Sequence, residues 1–170
     1  MNMVLQRIQE IGPDLDAQAD EADELGRLTD EMAKKLDETG IMRMLQPREY
    51  GGYESTPMEW FEALAEIGQH SGSATWVSGA VGVHPFEIAQ GTRELQQEIW
   101  GEDTSVWVAS PYAPFGRARR VDGGYVFTGR WPWSTGNYHC EWAVLGGLIV
   151  DADGNPGDRL TSTRHFFIPK

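Results

Sequence analysis

From Leu15 onward, apolar side chains return at Ala19, Ala22, Leu25, Leu28, Met32 and Leu36, in steps of three and four that put them on one stripe of a helix. Pro13 precedes the run and Gly40 follows "KKLDET", so one long helix is predicted between them, with lysines near its negative end. "MLQPREYGGYESTP" (44–57) reads as a loop, and Pro57 opens a second helix through "MEWFEALAEIGQH". A third helical stretch, "SATWVSGAVGVHPFEIAQG", is rich in small residues: Ser73, Ala74, Ser78, Gly79, Ala80 and Gly82. Such residues weaken a helix but let another backbone or a ligand come close. Pro85 is expected to kink or split this helix beside His84, and a short helix, "TRELQQEIWG", follows.

After Gly101 the period changes. "SVWVAS" (105–110), "RARRV", "GYVFTGRW", "EWAVLGGLIV" and "RHFFIP" are short, rich in β-branched and aromatic residues, and separated by turn chemistry. Asp122-Gly123 is a hairpin signal, and "DADGNPGD" (151–158) is a surface loop before the last strand. The fold class that follows is α+β: a helical domain over residues 1–103 and a partial antiparallel β domain over 104–170. The sheet reads as unfinished, because Lys170 comes directly after a strand.

Composition narrows the function classes. A hydrophobic share of 40% marks a globular chain, and a net charge of -12 argues against nonspecific binding to nucleic acid or to an anionic membrane. The longest apolar run, "AVLGGLIV", is too short to span a bilayer, and "MNMVLQRIQE" lacks the apolar core of a signal peptide. Cys140 is the sole cysteine, which rules out an internal disulfide and fits a reducing compartment; a cytoplasmic protein is expected.

Metal and nucleotide motifs are missing. Glu59, Glu62, Glu66 and His70 share a helical face, but a di-iron bundle needs Glu-x-x-His from two helices, so a solvated face explains them better. Neither a P-loop nor a G-x-G-x-x-G turn is present. What remains is "GRWPWSTGNYHCEW" (129–142), which crowds Trp131, Trp133 and Trp142 around adjacent hydroxyl residues, Ser134 and Thr135. Trp76, Trp107 and Tyr138 are expected to join them at the helix-to-sheet junction. Trp107 and Trp142, inside strands, read as core; "WPWSTG", with hydroxyl and backbone donors beside flat rings, suits a planar heteroaromatic ligand. For His84 alone, the residues favour a core histidine satisfied by a carbonyl freed at the Pro85 kink.

The order "WVSGAVGVHPFE", "EIWGED" and "SPYAPFGRARRVDGGYVFTGRWPWSTGNYHCEWAVLGG" resembles the acyl-CoA dehydrogenase superfamily over nearly the whole chain. Within it, the likeness is to the flavin-dependent aromatic monooxygenases, the oxygenase components of two-component hydroxylases. The resemblance implies a separate flavin reductase that supplies reduced flavin, FMN or FAD, and a small aromatic substrate, phenolic and hydroxylated with dioxygen. The small residues from Ser73 to Gly82 leave room for a polycyclic or steroid-derived ring system. It further implies that His84 sits at the substrate phenol as a proton acceptor and that Ser110 hydrogen-bonds near the same oxygen. Trp76 would line the site with Trp131 and Trp133, and either Ser134 or Thr135 would contact flavin N5. "ASPYAPFGRA" stands where the dehydrogenase branch carries a Thr-Glu-Pro-like segment, which argues against acyl-CoA oxidation, the alternative activity. Family members run to about twice this length, consistent with a second helical domain. The chain therefore resembles only a front half, without the C-terminal four-helix bundle, most of the homo-tetramer interface and part of the flavin site. A fragment inactive by itself is the third reading.

Overall fold

The computed structural model describes residues 3–170. Helix α1 (Met3–Leu25) begins well before Asp14 and carries Pro13 inside it, burying Val4, Ile8, Leu15 and Ala22. The apolar stripe runs on to Leu28, Met32 and Leu36, all buried, but the helix does not. Gly26 takes a left-handed backbone, φ 64°, and Thr29 starts a new helix, α2 (Asp30–Thr39), by accepting the Met32 N–H on its side chain. The single helix expected from the stripe is thus two. A glycine free to enter the left-handed region, followed by a Thr-Asp-Glu start with its acids at the positive helix end, breaks the backbone; Leu25, beside the break, is exposed, and the buried stripe resumes at Leu28. Gly40, φ 88°, stops α2 where expected.

Helix α3 (Pro57–Gly68) opens on its proline with a complete capping box between Thr56 and Glu59. Ser71 caps α4 (Gly72–Gly82), and Thr92 caps α6 (Arg93–Trp100). Between them lies α5 (His84–Ala89), with Pro85 in its first turn, so the helix does split beside His84.

The strands are β1 (Val108–Ala109), β2 (Gly116–Val121), β3 (Gly124–Thr128), β4 (Trp142–Val150) and β5 (Thr163–Pro169), with a single helical turn, α7 (Arg159–Ser162), before the last. Strands β2 and β3 form the expected hairpin around Asp122-Gly123, with Gly123 at φ 78°. At the centre lies β4. Antiparallel β5 covers one of its edges, while β1 and then β2 run parallel along the other. The expected antiparallel sheet is therefore mixed. Parallel pairing on this edge depends on the 110–115 connection crossing close to β4: the Gly146 N–H donates to the Pro111 carbonyl (3.0 Å), and a Cβ on Gly146 would lie 1.9 Å from the Tyr112 carbonyl oxygen. Only glycine permits that approach. Trp107 lies just outside the short β1, buried, its indole N–H donating to Asp37 (3.0 Å).

Two apolar clusters hold the molecule together, and each joins helices to strands. One packs α1–α4 against Trp107, Ala109 and Cys140; the other packs Tyr50, Ile88, Ile99 and Trp100 against Val108 and Val144, with Trp142 and Phe167 at its margin. Each fully buried Leu or Ile in them contributes about 1.5–3 kcal/mol. No described helix is long and apolar enough to cross a membrane.

Candidate functional site

The 131–136 segment leaves the hairpin and lies against α4. Gly136 (φ 72°) lets it turn, and a Cβ there would meet Val81 of α4 at 2.7 Å. Of the small residues of α4, Gly79 and Gly82 face Leu64 and Trp60 of α3, while Ser73 and Ala80 line the cavities beside this segment. Trp131 anchors the segment: its indole N–H is shared between the carbonyls of Ala113 and Gly146 (3.1 Å each), and its ring packs on Phe127 above Gly116 and Gly129. Trp76, on α4, donates its indole N–H to Thr135 Oγ1 at 3.2 Å. Both Trp76 (71% exposed) and Trp133 (83%) present flat rings to solvent, an arrangement a core does not require. Between them the Ser134 hydroxyl is buried with no hydrogen-bond partner in the protein.

Trp133, Ser134 and Thr135 form a wall with a cavity on each side. The larger, of about 650 Å³, lies between the end of α1, the face of α4 bearing Ser73 and Trp76, and Trp133–His139. The smaller, of about 260 Å³, lies between Ala80, the Ser110–Phe115 stretch and Trp131–Thr135. Behind the larger cavity, the Arg27 guanidinium stacks 3.8 Å from the Tyr138 ring centroid, and the His139 Nε2–H donates to the Leu28 carbonyl (3.1 Å).

His84 opens α5 and is 1% exposed. Its partner is not a freed carbonyl: Nδ1 lies 2.9 Å from the Tyr112 hydroxyl. That hydroxyl donates to Glu87 Oε2 (2.5 Å), and Glu87 Oε1 meets His165 Nδ1 of β5 at 3.1 Å. The Tyr112 and His165 rings stack with centroids 4.8 Å apart. The His84 imidazole, whose Nδ1 lies 3.6 Å away, above all, and then the hydrogen bonds from Tyr112 and His165, override partial burial and hold the Glu87 carboxyl down at about 2. Burial, and then the Glu87 carboxylate, push the Tyr112 phenol up, while the Ser110 hydroxyl works the other way. His84 Nε2 is buried without a partner.

The structure thus gathers Trp76, Trp131, Trp133, Ser134, Thr135 and Ser110 around one wall, with His84 linked to that wall through Tyr112, which lines the smaller cavity beside Ser110. Sequence reasoning missed Tyr112, Glu87 and His165. Their only local trace is Glu87 at three residues from His84, one helical turn along. Among the described residues no three His, Cys, Asp or Glu side chains converge as metal ligands; His70 pairs with Asp16 (3.1 Å) and Glu59 serves the α3 cap.

Residues 6–102 match the family described as acyl-CoA dehydrogenase, N-terminal domain, and the chain belongs to that family. It is 47% identical over 152 residues to a pigment production hydroxylase of Rhodococcus erythropolis, covering 89% of this chain and 39% of that protein. It is 41% identical over 166 residues to the flavin-dependent monooxygenase oxygenase subunit HsaA of Rhodococcus jostii, covering 98% of this chain and 42% of the relative. Among solved structures, XiaF from Streptomyces sp. in complex with FADH2 and glycerol superposes with a TM-score of 0.91 at 28% identity, over 98% of this chain and 41% of that one. The chain spans about two fifths of the length of the curated relatives it matches.

Proposed function

We propose that this chain is the front part of the oxygenase component of a two-component flavin-dependent monooxygenase, its residues 1–103 and 104–170 acting as helical and sheet portions of one site. A separate reductase supplies reduced FMN or FAD, and a phenolic, polycyclic substrate is hydroxylated with dioxygen. The complete protein assembles as a tetramer. The observation that carries the reading is the Trp133–Thr135 wall, with exposed indoles, a buried hydroxyl lacking a partner and a cavity on either side. These residues fit an isoalloxazine, which offers flat apolar faces and a few ring nitrogens for placed hydrogen bonds. The larger cavity, at about 650 Å³, is of a size that accepts a polycyclic ligand. The names of HsaA and of the FADH2 complex point the same way.

Reduced flavin, when bound, would supply the electrons that activate dioxygen, one atom of which goes to the substrate and the other to water. The protein's part is to hold, screen and move protons. Trp76 and Trp133 would cover ring faces and exclude water; Ser134 and Thr135 would offer hydroxyls at the ring edge. His84, with Nε2 free, would take the phenolic proton, and Ser110 would orient the phenolic oxygen.

The test is anaerobic titration of the complete gene product containing this chain with reduced FMN and reduced FAD, followed by quenching of indole fluorescence. Binding that weakens on Ser134→Ala or Thr135→Ala is expected. No binding of either flavin, or binding indifferent to both substitutions, overturns the reading.

A further inference from the structure

We infer that Tyr112 and Glu87 are positioning residues that act through His84, holding its imidazole as the Nδ1–H tautomer and leaving Nε2 as the free base. The inference rests on the reading of His84 as the acceptor of the substrate's proton. Glu87 is ionised at neutral pH, so both its oxygens only accept. Tyr112 keeps its single hydrogen and commits it to Glu87 Oε2 at 2.5 Å. Toward His84 the Tyr112 oxygen therefore has only lone pairs to offer, and the 2.9 Å contact requires a hydrogen on Nδ1.

A neutral imidazole with Nδ1–H has its lone pair on Nε2, the nitrogen left buried and unpartnered. His165 secures the other end, since its Nδ1 hydrogen bonds Glu87 Oε1 while its ring stacks on Tyr112. The groups facing the imidazole nitrogen are thus Glu87 from its own helix and Tyr112 from the connection after β1, with Ser110 and, from β5, His165 behind them against Tyr112 and Glu87. The logic is that of a carboxylate orienting a catalytic histidine, with a tyrosine interposed between them. The same carboxylate, 3.6 Å from Nδ1, would stabilise the imidazolium formed when Nε2 takes a proton.

The test uses the 15N-labelled chain without flavin or substrate. Long-range proton–nitrogen correlation spectra at neutral pH report the tautomer of each histidine, assigned by replacing them singly. For His84, Nδ1 is expected at a pyrrole-type and Nε2 at a pyridine-type shift, with the Nδ1–H form favoured by about tenfold or more, as the net worth of one hydrogen bond dictates. His139, whose Nε2–H serves the Leu28 carbonyl, is the control with the opposite tautomer. Glu87→Ala frees the Tyr112 hydrogen to turn to Nδ1, and the tautomer ratio should fall by about tenfold. An Nε2–H or evenly mixed His84 in the unmodified chain, or a ratio unmoved in the variant, overturns the inference; should the variant not fold, the unmodified spectrum decides alone. A wrong tautomer sinks this inference and leaves flavin binding untouched, whereas failure of the complete protein to bind reduced flavin sinks the proposed function and leaves the tautomer standing.

Discussion

Replacing Glu87 by Gln keeps the shape of the side chain and removes its charge, so the pH dependence of the loss isolates the carboxylate. In the folded chain this carboxyl sits at about 2 rather than 4.5. A group whose acidity is strengthened by folding stabilises the native state above its unfolded pKa and loses that contribution as pH falls toward the folded one. Moving a carboxyl from 4.5 to about 2 is worth at most ~3.4 kcal/mol. The Glu87 side chain is 31% exposed, and solvent screening reduces the expected share to about 2 kcal/mol. Urea unfolding of the native chain and Glu87→Gln, compared from neutral pH downward, measures it directly. At a denaturant sensitivity of about 2 kcal/mol per molar, the variant's midpoint should lie roughly 1 M lower at neutral pH. The gap should begin to close near 4.5 and be nearly gone close to 2, where the native carboxylate is protonated too. A gap of constant size across that window, or none at neutral pH, would refute the charge argument and reduce Glu87 to a packing residue.

Three further outcomes are expected. Ser134→Ala removes a buried hydroxyl that has no partner, so thermal stability should hold or rise by up to about 1 kcal/mol while reduced-flavin affinity falls about tenfold; a stability loss with intact binding contradicts the assignment. Gly146→Ala would thrust a methyl to 1.9 Å from the Tyr112 carbonyl oxygen, forcing the 110–113 stretch outward at about 3 kcal/mol, a Tm drop of roughly 6–12 °C; a drop below about 2 °C refutes the close approach. Burial first, and the neighbouring Glu141 second, push the Cys140 thiol up to about 12. Alkylation at mildly alkaline pH should therefore run ~10³-fold slower in the native chain than in urea, and comparable rates would show the thiol to be accessible.

Local signals account for most of the helical part. Pro57 with Thr56 and Glu59, Gly40, and Pro85 each act within a few residues of themselves, so the helix ends they dictate are readable in the chain. The break at Gly26–Thr29 is not legible in the sequence, because the apolar period that signals a helix passes through it: Ala22, Leu28 and Met32 are buried on either side, and only Leu25, 48% exposed in the structure, marks the interruption. Strand direction was not legible either, since alternation looks the same in parallel and antiparallel ladders, and the determinant is Gly146 beside a backbone more than thirty residues earlier. At the candidate site, the aromatic and hydroxyl content of 131–135 stood out by composition. The His84 environment did not, because Glu87, Tyr112 and His165 come from a helix, a loop and a strand that only the completed sheet brings together.

Because Trp133, Ser134 and Thr135 belong to both cavities at once, the two compartments cannot be remodelled independently from that side. A bulkier residue at any of these positions takes volume from one chamber or from both. Divergence in what each chamber accepts would have to be written on the opposite faces, in the stretch from Ala22 to Leu28 for the large one and from Ser110 to Phe115 for the small one. Those two stretches, rather than the tryptophan-rich partition, are where relatives that share a chemistry but differ in appetite should be found to part company.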